Sequence, residues 1–492
     1  MRIAFIAAEC EPWAKTGGLG DVVDALARAL ARVPGATDGL VDVFLPRYRS
    51  VAVPATAGPG RRLRVPDPYS LDGAVELTVI DIDAHGYRLR LIDHPAAFDR
   101  DGLYGAPSGG DYGDNAWRFG VLCRAALETL RAEADRPVDV IHIHDWHSSP
   151  AAIFRERWYE DDPVLGRAAV VLTLHNLAYH GWTPLESLGQ LGLARGDGIV
   201  KEEAVGIDLL ASGIELAEMV NTVSPGYARE SLTPSLGFGL DGDLRAKGDR
   251  YLGVLNGLDT EVWNPATDAD LAATYSAADL AGKAACRADL LSRVGFDPSD
   301  DGPVLGMIGR LDPQKGFDLL ADAASRLLSG GNRLVVLGSG DPRIAADLRS
   351  LAERRPDRVA LLERFDRAMA RRIYAGVDFF LMPSRFEPCG QGQMIALRYG
   401  TPPIVRRTGG LADSVVDELR FPGAGNGFAF DAATPDALAD ACELAIAMRD
   451  AGGPAWDGLI ARGMAVDFDW TTGSAPQYVD MYERAIQIRR RR

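Results

Sequence analysis

The chain has 492 residues, 47% of them hydrophobic and 25% charged, a balance that excludes wholesale disorder and suits two large domains. With 53 Lys and Arg against 69 Asp and Glu, the formal net charge is −16, which disfavours nucleic acid and anionic membranes as partners. The five cysteines are scattered and never spaced as C-x-x-C, which argues against disulfides and structural zinc. Since no apolar run suits a signal peptide or a membrane helix, we expect a soluble cytoplasmic protein.

Short β-branched runs alternate with longer stretches of helical period, which is typical of a parallel sheet with crossover helices. Predicted strands occupy residues 3–8, 139–143, 169–174, 219–223, 304–308, 333–337, 359–362, 378–382 and 403–405. Because buried parallel strands read as continuous apolar runs, the pattern predicts an α/β fold. We interpret the Pro- and Gly-rich residues 53–68 as a surface excursion and the arginines at 489–492 as a solvated tail.

The same order of strand, glycine-containing loop and helix occurs at the start of the chain and again near residue 303. In each case a strand (residues 3–8 or 304–308) leads to a glycine-containing loop (15–20 or 309–316) and then to a helix, beginning at Asp21 or Phe317. The repetition predicts two Rossmann-like domains facing a deep cleft, with the ligand between them. We place the first domain at residues 1–247 and the second at 248–471.

The two loops carry cations beside glycines. Lys15 lies in the first loop, and Arg310 and Lys315 lie in the second. Backbone N–H groups at a helix start, together with Lys and Arg, suit a diphosphate and require no metal. Neither loop matches G-x-G-x-x-G or the P-loop pattern, so simple dinucleotide and P-loop interpretations lack support.

Three histidines and an aspartate cluster at the end of a predicted strand, at His142, His144, Asp145 and His147. Alternation along a strand places His142 and His144 on one face, so a metal site, and with it a metal-dependent hydrolase, is one interpretation. The other is that His144 and Asp145 face bound hydroxyl groups while His147 packs. His175 closes the next apolar run in the same way, and we expect it beside His144 and Asp145.

Residues 383–393 form a dense loop directly after a buried strand. Glu387 in this loop lies just beyond the strand and just before a predicted helix at 394–399, where a ligand with hydroxyls and phosphates could be held. A capping carboxylate is the simpler alternative. Cys389 has no evident base nearby in the sequence, which disfavours thiolate chemistry. A further glycine turn, residues 408–413, follows the next strand.

The loops carry motifs in a characteristic order: KTGGLGDV (15–22), LPRYRS (45–50), DYGDN (111–115), HDWH (144–147), HNLAY (175–179), TVSPGYAR (222–229), LNGLDTEVWNPATD (255–268), residues 310–316, PSRFEPCG (383–390) and RRTGGLADSV (406–415). Almost end to end, the sequence resembles bacterial glycogen synthases and plant starch synthases, the retaining glucosyltransferases that use ADP-glucose. The resemblance implies a GT-B fold and a C-terminal segment, residues 472–492, that returns as a helix to the first domain.

The resemblance also implies the reaction, in which glucose passes from ADP-glucose to the non-reducing end of an α-1,4-glucan such as glycogen or a maltooligosaccharide, with retention and without a cofactor or metal. The implied catalytic residues are Glu387, His175, Asp145, Arg310 and Lys315. The implied donor-binding residues are Lys15, Gly17, Gly18, Phe365, Cys389, Gly390, Gly392, Thr408, Gly409 and Gly410. The implied acceptor-side residues are Asp21, His144 and Trp146. Because a diphosphate leaving group needs no acid, Glu387 is expected to orient the donor glucose and stabilise charge.

Two positions depart from the family pattern. Gln391 stands where the family usually has Leu, and Ala211 begins a segment where a Lys-containing turn is common. Two alternatives therefore stay open: a catalytically weak or silent glucan-binding relative, and a glucosyltransferase that uses UDP-glucose.

Overall fold

The computed structural model describes residues 1–37, 39, 41–84, 86–106, 109–203 and 206–492. The backbone contacts divide the chain into two compact units. Unit 1 comprises Met1–Val223, Ala228–Gly257 and Trp470–Arg492, and unit 2 comprises Ser224–Tyr227 and Leu258–Asp469. The domain boundaries at 247 and 471 stay predictions. Within the described ranges, no helix is both long enough and apolar enough to cross a membrane.

Unit 1 is built on a large sheet. Its strands are β1 (Ile3–Ile6), β2 (Val41–Pro46), β3 (Arg61–Pro66), β4 (Ala74–Asp83), β5 (Tyr87–Asp93), β6 (Val140–His144), β7 (Ala169–Leu174), β8 (Trp182–Pro184), β9 (Lys201–Glu202), β10 (Gly206–Asp208), β11 (Met219–Thr222) and β12 (Tyr251–Gly253). Among the described residues, nine of them pair in the order β12-β11-β7-β6-β1-β2-β5-β4-β3. The pairs β3–β4 and β4–β5 are antiparallel and the others are parallel. β8, β10 and β9 form a small antiparallel sheet.

Unit 2 is built on a parallel sheet. Its strands are β13 (Val304–Ile308), β14 (Arg333–Leu337), β15 (Val359–Leu362), β16 (Phe379–Met382), β17 (Pro403–Arg406) and β18 (Phe428–Phe430). In the described part of the unit they pair in the order β15-β14-β13-β16-β17-β18, which is the 3-2-1-4-5-6 order of a Rossmann fold. Alternate residues enter two cores: Leu334 lies in one apolar cluster and Val335 in the other. Both faces of the sheet are therefore buried, as continuous apolar strands require.

Helices connect the parallel strands. They are α1 (Gly18–Arg32), α2 (Pro95–Phe98), α3 (Asn115–Ala132), α4 (Asp145–Trp158), α5 (Leu188–Leu191), α6 (Leu209–Leu216), α7 (Pro225–Ser231), α8 (Asp241–Lys247), α9 (Ala281–Arg293), α10 (Phe317–Leu327), α11 (Pro342–Arg354), α12 (Arg367–Gly376), α13 (Gly392–Arg398), α14 (Gly409–Ser414), α15 (Pro435–Ala451), α16 (Gly453–Met464) and α17 (Ala475–Arg490). Local chemistry sets several starts: the Asp341 carboxylate accepts from two N–H groups at the start of α11, and Pro342 occupies its first position.

The nine predicted strands are confirmed within one or two residues at each end, and the α/β class is confirmed with them. Three expectations are corrected. α1 begins at Gly18 and not at Asp21, so the end of the predicted loop forms the first helical turn. The stretch 53–68 contains β3 at the sheet edge. The tail is not solvated throughout, because α17 extends to Arg490 and Arg489 is buried against the Gly166 carbonyl.

Candidate active site

The glycine loop of unit 1 leads from β1 into α1. The Lys15 ammonium lies 2.5 Å from the Asp21 carboxylate in the first turn of the helix. Gly17 is the N-cap residue and Gly18 is the first helical residue. A Cβ added to either glycine would meet no described atom within 4 Å. This side of the loop is therefore open to a ligand, and the predicted neighbours Lys15, Gly17, Gly18 and Asp21 lie together in one turn.

A buried carboxylate holds this loop from behind. Glu9 accepts the backbone N–H groups of Thr16 and Gly17 at 2.6 and 3.0 Å, and the hydroxyls of Thr16 and Tyr104 at 2.7 and 2.5 Å. These bonds fix the loop and explain why α1 starts three residues early. Glu9 was not predicted as a site residue, although it follows the predicted strand at 3–8 much as Asp145 follows the one at 139–143.

The ends of β6 and β7 bring the predicted histidines and aspartate together. His144 Nδ1 lies 3.1 Å from His175 Nε2, and the Asp145 carboxylate accepts the His175 backbone N–H at 2.7 Å. Asp145 has a backbone φ of 55°, an unusual left-handed conformation for a non-glycine residue. The expected proximity of His144, Asp145 and His175 is confirmed. The His144 side chain is fully buried and contacts His175, and its role on the acceptor side stays a prediction.

Burial controls the charge of this cluster. It raises the pKa of Asp145 from 3.8 to about 7, although backbone N–H groups of His175 and Asn176 act in the opposite direction. Burial lowers the pKa of His175 to about 3. It also holds the pKa of His144 well below its usual value, an effect that the neighbouring histidines strengthen. Both imidazoles are therefore neutral hydrogen-bonding groups near neutral pH.

The alternative of a metal site at these histidines is not supported. His142 engages Thr173 with one ring nitrogen and Tyr482 with the other, at 2.7 and 2.8 Å. The ring of His147 stacks on those of Trp146 and Tyr104, with centroids 4.0 and 4.6 Å apart. Among the described residues, no group of three or more His, Cys, Asp and Glu could hold a metal ion. The prediction that His142 and His144 share a face is confirmed, since their rings lie 4.2 Å apart.

Trp146, predicted on the acceptor side, is a buried packing residue. Its ring lies 5.4 Å from Phe119. Gly181 approaches it from outside, and a Cβ on that glycine would lie 2.4 Å from the indole ring. The loop that follows His175 is therefore pressed directly onto Trp146.

In unit 2 the strand ends of β13 and β16 bring the predicted cation and carboxylate together. Lys315 Nζ lies 2.6 Å from Glu387 Oε2, and the Ser384 hydroxyl donates to the same oxygen at 3.1 Å. Glu387 is only 4% exposed. Asp312 caps the turn that carries Lys315 by accepting its backbone N–H at 3.0 Å. Ser384 is a second residue of this cluster that was not predicted from the sequence.

Two predicted donor-binding side chains of unit 2 are exposed. Arg310 is 57% exposed and pairs with Asp312, with its Nε 2.5 Å from the carboxylate. Phe365, between β15 and α12, is 84% exposed. An aromatic ring this exposed presents apolar area that a flat ligand could cover.

The glycine turn after β17 packs against the loop that carries Glu387. Gly410 donates its N–H to the Glu387 carbonyl at 3.1 Å. Gly409 has a φ of 44°, and a Cβ there would lie 2.0 Å from the same carbonyl. A Cβ on Gly410 would lie 2.2 Å from the Cys389 carbonyl. Glycine is therefore required at both positions for this approach, and Thr408, which precedes them, is buried.

The loop itself is fastened at its far end. Gln393 donates to the carbonyls of Cys389 and Gly390 at 3.1 Å each and to the Ser414 hydroxyl at 3.0 Å. The Cys389 thiol is buried. α13 begins at Gly392, two residues earlier than predicted, where a Cβ would lie 2.8 Å from Phe380. Gly390 and Gly392 thus shape the loop, and the ligand roles of all these residues stay predictions.

Comparison with known proteins agrees with this architecture. The family model of the starch synthase catalytic domain matches residues 2–246, and that of glycosyl transferases group 1 matches residues 302–447. A sucrose-phosphate synthase from Thermosynechococcus elongatus shares the fold, with a TM-score of 0.59, 19% identity and 99% coverage of both chains. With two α/β units of this kind, the chain is a glycosyltransferase of the GT-B fold class.

Full-length relatives define the family more narrowly. A glycogen synthase of Koribacter versatilis is 41% identical over 99% of each chain. Another, of an Anaeromyxobacter species, is 43% identical over 98% of this chain and 99% of its own. The catalytic domain of starch synthase IV from Arabidopsis thaliana, bound to ADP and acarbose, matches with a TM-score of 0.88, 35% identity and 99% coverage of both chains. The chain belongs to the family of glycogen and starch synthases.

Proposed function

We propose that this enzyme transfers glucose from ADP-glucose to the non-reducing end of an α-1,4-glucan, with retention of configuration and without a metal. The observation that carries the proposal is the pairing of Lys315 with the buried Glu387 at the strand ends of unit 2, beside the exposed Arg310. The names of the relatives, glycogen synthase, support the glucan acceptor. The ADP and acarbose bound to the Arabidopsis domain support an adenine nucleotide and an oligosaccharide.

The chemistry of unit 2 suits the leaving group. As the glucosyl bond breaks, negative charge develops on the diphosphate, and Arg310 and Lys315 supply fixed positive charge to stabilise it. α10 begins at Phe317, two residues after Lys315, and adds the partial positive charge of its N-terminus. In this proposal Lys315 exchanges its contact with Glu387 for a phosphate oxygen. Glu387 is then available to orient the donor glucose and to stabilise positive charge on the sugar.

The chemistry of unit 1 suits hydroxyl groups. A neutral His175 can accept or donate one hydrogen bond to the transferred glucose without adding charge. Asp145, with its pKa raised by burial to about 7, lies at the same strand edge and is proposed to act on the acceptor hydroxyl. For retention, that hydroxyl attacks the face from which ADP departs. Lys15, Gly17 and Gly18 are proposed to contact the sugar nucleotide, and Phe365 to stack on the adenine.

The two departures from the family pattern have ordinary structural places. Ala211 is buried in the first turn of α6, where its N–H bonds to Asp208 at 2.9 Å. Gln391 is the N-cap residue of α13 and is partly exposed. Neither replaces the charged residues on which the proposed chemistry depends. All five cysteines are buried, and the described residues contain no disulfide; both features support the proposed reducing, cytoplasmic location.

The test is nucleotide release from ADP-glucose and from UDP-glucose, measured in parallel with and without glycogen. We expect ADP release that depends on glycogen and is at least about tenfold faster than UDP release, a preference of about 1.4 kcal/mol. Faster UDP release would assign the enzyme to UDP-glucose. Glycogen binding by calorimetry without release of either nucleotide would identify a silent relative.

A further inference from the structure

Two exposed aromatic rings follow His175 in the chain. Tyr179 is 55% exposed and Trp182, the first residue of β8, is 50% exposed. Singly exposed aromatics are common, but two within four residues, next to a proposed sugar site, form an apolar surface that a ligand could cover.

The Trp182 ring is part of a stack. The imidazole of His180 lies parallel to it, with ring centroids 5.8 Å apart and planes inclined by 10°. His180 is held in turn by Asp208, whose carboxylate lies 2.5 Å from Nδ1. Asp208 is buried and also caps α6. The stack is therefore anchored to a helix start and is not a pair of loose surface side chains.

The backbone beneath the stack is also fixed. β8 pairs antiparallel with β10, and Trp182 is the register partner of Asp208. Gly181, between the two stacked residues, lies against Trp146, which precludes a Cβ at that position. The rings are thus preorganised on β-structure and on the indole next to Asp145, which lowers the entropy lost on binding.

The chemistry of this surface fits a hexose. A glucose ring in a glucan has an apolar face of C–H groups and a rim of hydroxyls. An exposed indole can cover the apolar face. Because Nδ1 of His180 contacts the Asp208 carboxylate, Nε2 is the ring nitrogen that can hydrogen-bond a hydroxyl of the sugar. Tyr179, three residues before Trp182 in the chain, is also exposed and carries a further hydroxyl group.

We propose that Trp182, stacked on His180, is a glucan-binding platform. It holds a sugar unit of the acceptor chain at a distance from the unit that reacts. This inference rests on the proposed function, and it predicts that acceptors long enough to reach the platform gain affinity from it.

The experiment compares Trp182→Ala and Trp182→Phe with the wild-type enzyme. Two readouts are retardation in native gels containing glycogen and the KM for glycogen under saturating ADP-glucose. For Trp182→Ala we expect weaker retardation and an about tenfold higher KM, with kcat within about twofold, since stacking acts on ground-state binding. Trp182→Phe, which keeps a flat ring, should recover most of the affinity. The matched control is Tyr69→Ala, which removes another exposed ring of unit 1.

Unchanged retardation and KM in Trp182→Ala would overturn the platform. So would an equal loss in Tyr69→Ala, or a change of oligomeric state in sedimentation, because the ring would then serve a contact between copies of the chain. Gel retardation needs no donor. If the wild type binds glycogen through Trp182 but releases no nucleotide, the proposed reaction fails and the platform stands.

Discussion

The two candidate sites treat charge in opposite ways. In unit 2, Lys315 and Glu387 form an ion pair and Arg310 is largely exposed, so formal charges stand ready at the strand ends. In unit 1, the side chains at the strand ends are largely buried and close to neutral: burial lowers the pKa of His175 to about 3 and raises that of Asp145 to about 7. A diphosphate leaving group needs fixed positive charge, whereas the recognition of hydroxyls needs hydrogen bonds without net charge. In the proposed reaction, the strand ends of unit 2 stabilise the charge of the leaving group, and those of unit 1 hydrogen-bond hydroxyl groups.

The largest effect on activity is expected for Glu387→Gln, at the charged site of unit 2. The amide keeps the shape but removes the charge that the proposal assigns to the donor glucose. We expect kcat to fall about a thousandfold, while ADP-glucose binding is partly retained. Steady-state kinetics and donor calorimetry measure the two quantities, with the surface variant Glu363→Gln as a control. Turnover like that of the wild type would remove Glu387 from the mechanism.

Lys315→Ala tests the cationic half of unit 2. Loss of the ammonium should raise the KM for ADP-glucose and lower kcat, reducing kcat/KM about a hundredfold, because in the proposed mechanism the cation contacts the donor phosphate in both the ground state and the transition state. Lys201→Ala, which removes a lysine paired with Asp243 in unit 1, should leave both constants near wild type. A change in kcat/KM confined to KM would show that Lys315 binds the donor without assisting its departure.

Asp145→Asn tests the raised pKa in unit 1 through the pH dependence of the free energy of unfolding. The pKa of Asp145 is raised in the folded protein to about 7, above its ordinary 3.8. The folded state therefore binds the extra proton, and this contribution to stability is full at low pH and is lost as pH rises towards 7. Relative to the wild type, the variant should gain about 1.4 kcal/mol in the free energy of unfolding per pH unit between about pH 5 and 7.

Urea unfolding at several pH values measures this difference. Asp161→Asn, at an exposed position, serves as the control and should show no such trend. A difference between Asp145→Asn and wild type that stays constant with pH would contradict the raised pKa.

The smallest effect is expected far from both sites. Arg489 donates to the Gly166 carbonyl at 2.8 Å and lies 3.8 Å from Glu218, a carboxylate without exposed surface that also pairs with the buried Arg155. Arg489→Ala should lower the free energy of unfolding by about 1–3 kcal/mol. Arg492→Ala removes a more exposed partner of Glu218 and should cost less than about 0.5 kcal/mol. Equal losses in chemical denaturation would show that burial does not distinguish the two arginines.

The sequence carried much of the fold because buried parallel strands are continuous apolar runs. β4, in contrast, was not predicted, because it alternates apolar and polar residues and a search for continuous apolar runs does not detect it. The early start of α1 could not be read locally, because it depends on Glu9 and Tyr104, and Tyr104 is far away in sequence. The burial of Arg489 likewise depends on a distant acid, Glu218.

The candidate site was more accessible to sequence reasoning than its supports were. Asp145, His175 and Glu387 could be predicted because they are polar residues shortly after the ends of predicted strands. Parallel strands end at a common edge, where ligands bind. Ser384 also follows a predicted strand, but only the charged Glu387 of the same loop was predicted. The stack of His180 on Trp182 depends on the pairing of β8 with β10, which no local pattern announced.

The proposed mechanism relies on fixed cations of the protein, and not on a bound metal ion, to stabilise ADP as it departs. Its most direct test is the initial rate of glycogen-dependent ADP release from ADP-glucose after exhaustive treatment with EDTA. We expect a rate equal to that of the untreated enzyme, and unchanged by added Mg²⁺ or Mn²⁺. A rate that falls to background in EDTA and returns with the metal would contradict it.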